Sequence, residues 1–169
     1  MIFLVGMPGS GKSYWLHPFA EVIKYKPIDL DEKIEQKYQR PIARVFKNKE
    51  EEFRIAERAM LTDVINNNNN QTIIATGGGT PCYFDNIDLM KEHGTIIYLK
   101  AENDLLFERF SKDLNKRPFL PKTKKGLTDY LDELLKKREP FYEQADLILP
   151  VKYLNVTFFL DQITPFLKK

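Results

Sequence analysis

The chain has 169 residues, of which 43% are hydrophobic and 30% charged, and its net charge is +2. That length can bury a sizeable core as one domain, the composition excludes a disordered chain, and the net charge is too small to argue for nucleic acid by itself, so no nucleic-acid partner is expected. Cys82 is the single cysteine, which excludes an internal disulfide and fits a reducing compartment. No apolar run approaches membrane length, and Met1 leads straight into a core-like strand with no basic-then-apolar leader, so a cytoplasmic monomer without a membrane partner is expected.

Short aliphatic or β-branched runs at 2–5, 25–28, 72–76, 95–99 and 146–149 alternate with longer segments of helical spacing. This alternation predicts an α/β fold with a parallel sheet flanked by helices. Ligands of such sheets bind beyond the carboxyl ends of the strands, so the residues after each strand matter most.

After the first strand comes Gly6-Met7-Pro8-Gly9-Ser10-Gly11-Lys12-Ser13, the phosphate-loop spacing G-x-x-x-x-G-K-[ST]. Glycines let backbone N–H groups turn inward at the N-terminus of the following helix, where a phosphate is favoured. Lys12 is placed for the β- and γ-phosphates and Ser13 for Mg²⁺. Pro18, about two turns into the helix, predicts a kink or a break, and Trp15 and Phe19 are expected to pack inward. After the second strand, Asp29 and Asp31 share one side if the segment stays extended. One can reach a metal's water shell and the other a substrate hydroxyl, unless Asp31 merely caps a helix starting at Glu32.

Residues 31–66 read as helix in pieces, broken near Pro41 and Lys47-Asn48-Lys49 and ended by the run Asn66 to Asn70. Arg54, Glu57 and Arg58 lie three and four apart, which makes either a surface ion-pair face or an anion clamp, Arg54, held by Glu57. After the third strand, Gly77-Gly78-Gly79 would let a ligand touch backbone, with N–H donors. Short helices follow at 84–92 and 103–110. Residues 111–126 then carry Lys112, Lys116, Arg117, Lys122, Lys124 and Lys125 against Asp113 alone, the composition of a solvated loop or a phosphate-facing lid. A helix over 128–139, with Thr128 as cap, points Leu127, Leu131, Leu134 and Leu135 inward, and Arg138 comes next in phase. A guanidinium there needs an anion partner. Pro140 should bend or end this helix, and a last helix covers about 155–167.

Gly6–Ser13, Asp29-x-Asp31, Phe53-Arg54-x-x-Glu57, Gly77-Gly78-Gly79, Arg117-Pro118 and Arg138-x-Pro140-x-Tyr142 together resemble the shikimate kinase family over about residues 2–145. The resemblance implies a three-layer P-loop kinase fold with a five-stranded parallel sheet, a substrate-binding segment near 31–60 and a lid near 111–126. It implies transfer of the γ-phosphoryl group of ATP to the 3-hydroxyl of shikimate, with Mg²⁺, on the route to aromatic amino acids. The nucleotide would meet Gly9, Ser10, Gly11, Lys12, Ser13, Tyr14, Arg109 and Arg117, with Arg109 against adenine and Arg117 stabilising charge on the transferring group. The metal would meet Ser13 and, through water, Asp29. Shikimate would meet Asp31 at its hydroxyls, Arg54 and Arg138 at its carboxylate, and Gly78 and Gly79 through backbone, with Gly77 in support. Tyr14-Trp15 stand where the family usually has a threonine and an aliphatic residue. A kinase of another small molecule such as gluconate, or a nucleotide-binding module without turnover, are the other readings. The first has less need of two arginines with three glycines, and the second does not explain why Lys12, Ser13, Asp31 and Arg117 are all present.

Overall fold

Five parallel strands form one sheet in the order β2-β3-β1-β4-β5. They are β1 Ile2–Val5, β2 Lys26–Asp29, β3 Thr72–Ala75, β4 Thr95–Lys100 and β5 Leu147–Pro150. The structure is a computed structural model that describes residues 1–47, 49–112, 121 and 123–167. Every residue of β1 and β3 is buried, as are the four central residues of β4, because helices cover both faces. Edge strands β2 and β5 are only partly buried. In register, Leu4 pairs with Ala75 and Asp29 with Ala75, so β1, β2 and β3 end at one level. The loops beyond them therefore share one rim.

The helices are α1 Lys12–Ile23, α2 Leu30–Tyr38, α3 Ile42–Val45, α4 Glu50–Asn66, α5 Asn86–His93, α6 Asn103–Lys112, α7 Lys124–Tyr142 and α8 Val156–Ile163. Helix α1 packs on the sheet and on α8, where Phe19 and Phe159 stack with ring centroids 3.7 Å apart. Trp15 lies parallel to Phe19 at 5.2 Å, which meets the expectation of inward packing. No described helix is long and apolar enough to cross a membrane.

One local expectation is corrected, the cap at Thr128, and two are narrowed, since neither proline ends its helix. Pro18 does not break α1, which runs unbroken to Ile23. The carbonyl it leaves without an intrahelical donor is that of Tyr14, a residue open to water, so solvent can supply the missing bond. Pro140 likewise lies inside α7, which continues to Tyr142. Thr128 is not a cap: α7 begins a turn earlier, where Thr123 Oγ1 accepts from Gly126 N at 3.1 Å, and the Thr128 hydroxyl donates to Lys124 O. Arg117 and most of the basic stretch lie outside the described residues.

Candidate active site

The chain leaves β1 into a loop whose Gly9 and Gly11 sit at φ +81° and +100°, a region L side chains rarely adopt. The loop closes onto the N-terminus of α1, which presents N–H groups free of intrahelical partners to an anion. Lys12 is buried, and its Nζ donates to the carbonyls of Gly6 at 2.8 Å and Met7 at 3.0 Å. Burial lowers its pKa to about 8; Asp31 and Asp29 oppose the shift and Arg138 adds to it. Ser13 Oγ donates to Asp29 Oδ2 at 2.6 Å.

Strand β2 ends at Asp29 and the chain turns at once into α2. The two aspartates therefore meet through a helical turn and not through extended alternation. Asp29, not Asp31, is the cap: its Oδ1 accepts from Asp31 N at 3.0 Å and Glu32 N at 3.3 Å. Asp31 is left with its carboxyl on the cavity wall, close to Gly77. It is exposed toward the open cavity, while protein encloses it on the other sides. That enclosure, with Glu57 and Asp29 nearby, lifts its pKa to about 6 against the pull of Lys12. A carboxylate of that proton affinity suits a general base near neutrality. Ser13 and Asp29 are hard oxygen donors, and Mg²⁺ needs no more than one or two protein oxygens beside phosphates and water, so this pair fits such an ion.

Across the rim, Glu57 of α4 is fully buried. It accepts from Arg54 NH1 at 2.9 Å and from Thr80 Oγ1 at 2.5 Å. Arg54 also donates to Glu50 at 3.2 Å and lies over the Tyr83 ring, with Cζ 4.2 Å from the centroid. Burial works against its charge, but Glu57, Tyr83 and Glu50 more than offset that and the guanidinium stays protonated.

Crowding gives the glycine triplet a physical reason beside the expected backbone contact with a ligand. Gly79 sits at φ −90° and ψ −19°, open to any residue, and no member of the triplet has positive φ. Space is the constraint. A Cβ would lie 2.5 Å from Glu57 Oε1 at Gly77, 2.6 Å from Pro8 at Gly78 and 2.5 Å from Arg54 NH1 at Gly79. The N–H groups of Gly77, Gly78 and Gly79 donate to no group among the described residues, so they remain available as donors. Gly79→Ala is expected to displace Arg54 while leaving the backbone conformation allowed. An acid substrate's KM should rise about ten- to a hundredfold in steady-state kinetics, with the thermal midpoint little changed.

Arg138 lies near the same loop. It lies close enough to Tyr142 to act on its hydroxyl, which donates to Gly78 O at 2.5 Å. Its charge reaches Lys12, Glu50 and Cys82, and Arg54 acts on Cys82 and Glu50 too, so the two guanidinium groups share one neighbourhood. Among the described residues, no carboxylate forms an ion pair with Arg138. A cavity of about 870 Å³ joins Lys12, Ser13 and Tyr14 to Asp31 and Gly78, with Arg109 on its wall. Arg109 NH1 donates to Gly9 O at 2.5 Å.

The family model for shikimate kinase matches residues 8–166. The chain belongs to the shikimate kinase family. A shikimate kinase of Azobacteroides pseudotrichonymphae genomovar. CFP2 is 36% identical over 166 residues, covering 97% of each chain. Among solved structures, shikimate kinase from Bacteroides thetaiotaomicron superposes with a TM-score of 0.88 at 33% identity, over 99% of this chain and 98% of its own. Shikimate kinase from Acinetobacter baumannii in complex with shikimate gives a TM-score of 0.84 at 27% identity, over 99% of this chain and 92% of its own.

Within this shikimate kinase fold, one rim carries Gly9, Ser10, Gly11, Lys12, Ser13, Asp29 and Asp31 together with Gly77 to Gly79, Arg54, Arg109 and Arg138. Sequence reasoning missed Thr80, which anchors Glu57, and Tyr83 and Glu50, which hold Arg54. It also missed the site role of Tyr142, although its spacing four residues past Arg138 places both on one helix face. Cys82 is partly buried, and burial raises its thiol pKa to about 11.

Proposed function

We propose that the chain transfers the γ-phosphoryl group of ATP to the 3-hydroxyl of shikimate, giving shikimate 3-phosphate and ADP. One observation carries the reading: a single cavity joins the phosphate loop to Asp31 and to Gly78, with Arg54 against the adjoining Gly79 and with Tyr142, four residues past Arg138 on the same helix, bonded to Gly78. Asp31 accepts the proton of the attacking hydroxyl, and Arg54 and Arg138 hold the carboxylate, which guanidinium groups pair with directionally. Lys12 leaves the carbonyls of Gly6 and Met7 to hold the β- and γ-phosphates. Ser13 and Asp29 would hold Mg²⁺, which supplies charge neutralisation on the phosphates when bound. The N–H groups of Gly78 and Gly79 meet the substrate, Gly77 keeps room for Glu57, and Arg109 borders the nucleoside. Residues 31–60 act as the substrate-binding segment and 111–126 as a lid that brings Arg117 to the transferring group, a reading supported by their composition. Because every one of these groups belongs to one chain, a monomer suffices, and the lone free thiol fits the cytoplasm.

A coupled assay of ADP release with shikimate, ATP and Mg²⁺ tests this, with gluconate and other small alcohols as alternative acceptors. Turnover on shikimate, lost on chelating the metal, is expected; none on shikimate overturns the reading. The pH profile of kcat/KM should be a bell. Its acid limb lies near pH 6, where Asp31 must lose a proton, and its basic limb near pH 8, where Lys12 loses its charge.

A further inference from the structure

Resting on the nucleotide reading above, we propose that Tyr14 is the platform on which the nucleobase stacks. Tyr14 is 73% exposed, more than any other large apolar side chain among the described residues. Of the six such exposed side chains it is also the one that lines the 870 Å³ cavity. It follows Ser13 directly in the first turn of α1, and helical side chains lean toward the N-terminus. The ring therefore leans toward the loop that takes the phosphates, within reach of whatever the phosphates carry.

The ring has backing. Its centroid is 5.2 Å from that of Trp15, edge to face at 87°; Trp15 stacks on Phe19 and Phe19 on Phe159. An aromatic ladder thus runs from the core to the cavity mouth and ends on a ring open to it. Arg109, pinned to Gly9, lines the same cavity; a Cβ on Gly11 would sit 3.4 Å from both Arg109 NH1 and Trp15 Cδ1. A flat ring and a planar guanidinium on the wall of one cavity both suit a planar, electron-rich group. Every nucleobase offers a π-face, so this contact rewards the presence of a base more than its identity.

Calorimetric titration of the full chain in Mg²⁺ with ADP and, separately, with inorganic triphosphate tests the proposal, using wild type, Tyr14→Ala and Tyr14→Phe. Tyr14→Ala should weaken ADP roughly tenfold while triphosphate stays within about twofold, and Tyr14→Phe should keep ADP affinity. Equal effects on both ligands, or on neither, overturn the stacking role. A loss in Tyr14→Phe as large as in Tyr14→Ala overturns it too, since the hydroxyl would then be the contact. If wild type binds neither ligand, the nucleotide reading itself fails and takes this one with it.

Discussion

Asp31→Asn is expected to lower kcat by about 10²–10⁴-fold, the usual worth of a positioned general base. The amide keeps the size of the side chain and loses its charge and its ability to take a proton. Asp31 makes its helix-end hydrogen bond through its backbone N–H, which the substitution preserves. The decisive readout is the shape of the residual profile. In wild type the acid limb reflects a carboxyl whose pKa enclosure and the neighbours Glu57 and Asp29 lift to about 6. In Asp31→Asn that limb should vanish, and the basic limb should move down, because Asp31 no longer supports the charge on Lys12. An unchanged acid limb would assign it to another group and remove Asp31 from proton transfer.

Arg138→Ala should raise the KM for the acid substrate about a hundredfold or more, with a much smaller effect on the KM for ATP. Losing one partner of a hydrogen-bonded charge pair costs about 2–5 kcal/mol, and 1.4 kcal/mol is tenfold. Arg54 alone cannot replace the lost contacts, because Glu57 and Glu50 already engage two of its nitrogens. Arg138 has no carboxylate of the described chain to satisfy, so its charge is free for the ligand. A second readout separates this from simple loss of structure. Arg138 helps hold the Lys12 pKa down, so its removal should move the basic limb of the pH profile upward. Arg138→Lys should recover only part of the affinity, since an ammonium lacks the fork. A KM unchanged in Arg138→Ala would refute the carboxylate role.

The parts of the site that could be read in advance are those set by local spacing. The phosphate loop is fixed by glycines and Lys12-Ser13 at set intervals, and the Arg54–Glu57 pair by three residues of one helix. The strands were legible to within a residue because alternation of buried runs with helical segments determines a parallel sheet. What failed was local geometry at junctions. Asp29 and Asp31 looked like an extended pair because sequence does not show that the helix starts at Leu30. Thr123 caps α7 from a stretch whose charges hid the helical start. The reason for three glycines was also hidden, since it lies in Pro8, Arg54 and Glu57, far away along the chain. Tyr83 reaches Glu50 across 33 positions, a contact no periodicity encodes.

The opposed proton affinities of Lys12 and Asp31 have a cost in folding. A carboxyl raised from 3.8 to about 6 binds its proton more tightly in the fold, so its contribution is present at low pH and is lost as pH rises through 6. An amine lowered from 10.5 to about 8 is penalised while charged, and that penalty is relieved only as pH climbs from 8 toward 10.5. Between about 6 and about 8, both groups are ionised and both work against the native state. The window in which these charges serve turnover is thus the one in which they most weaken the scaffold that holds them.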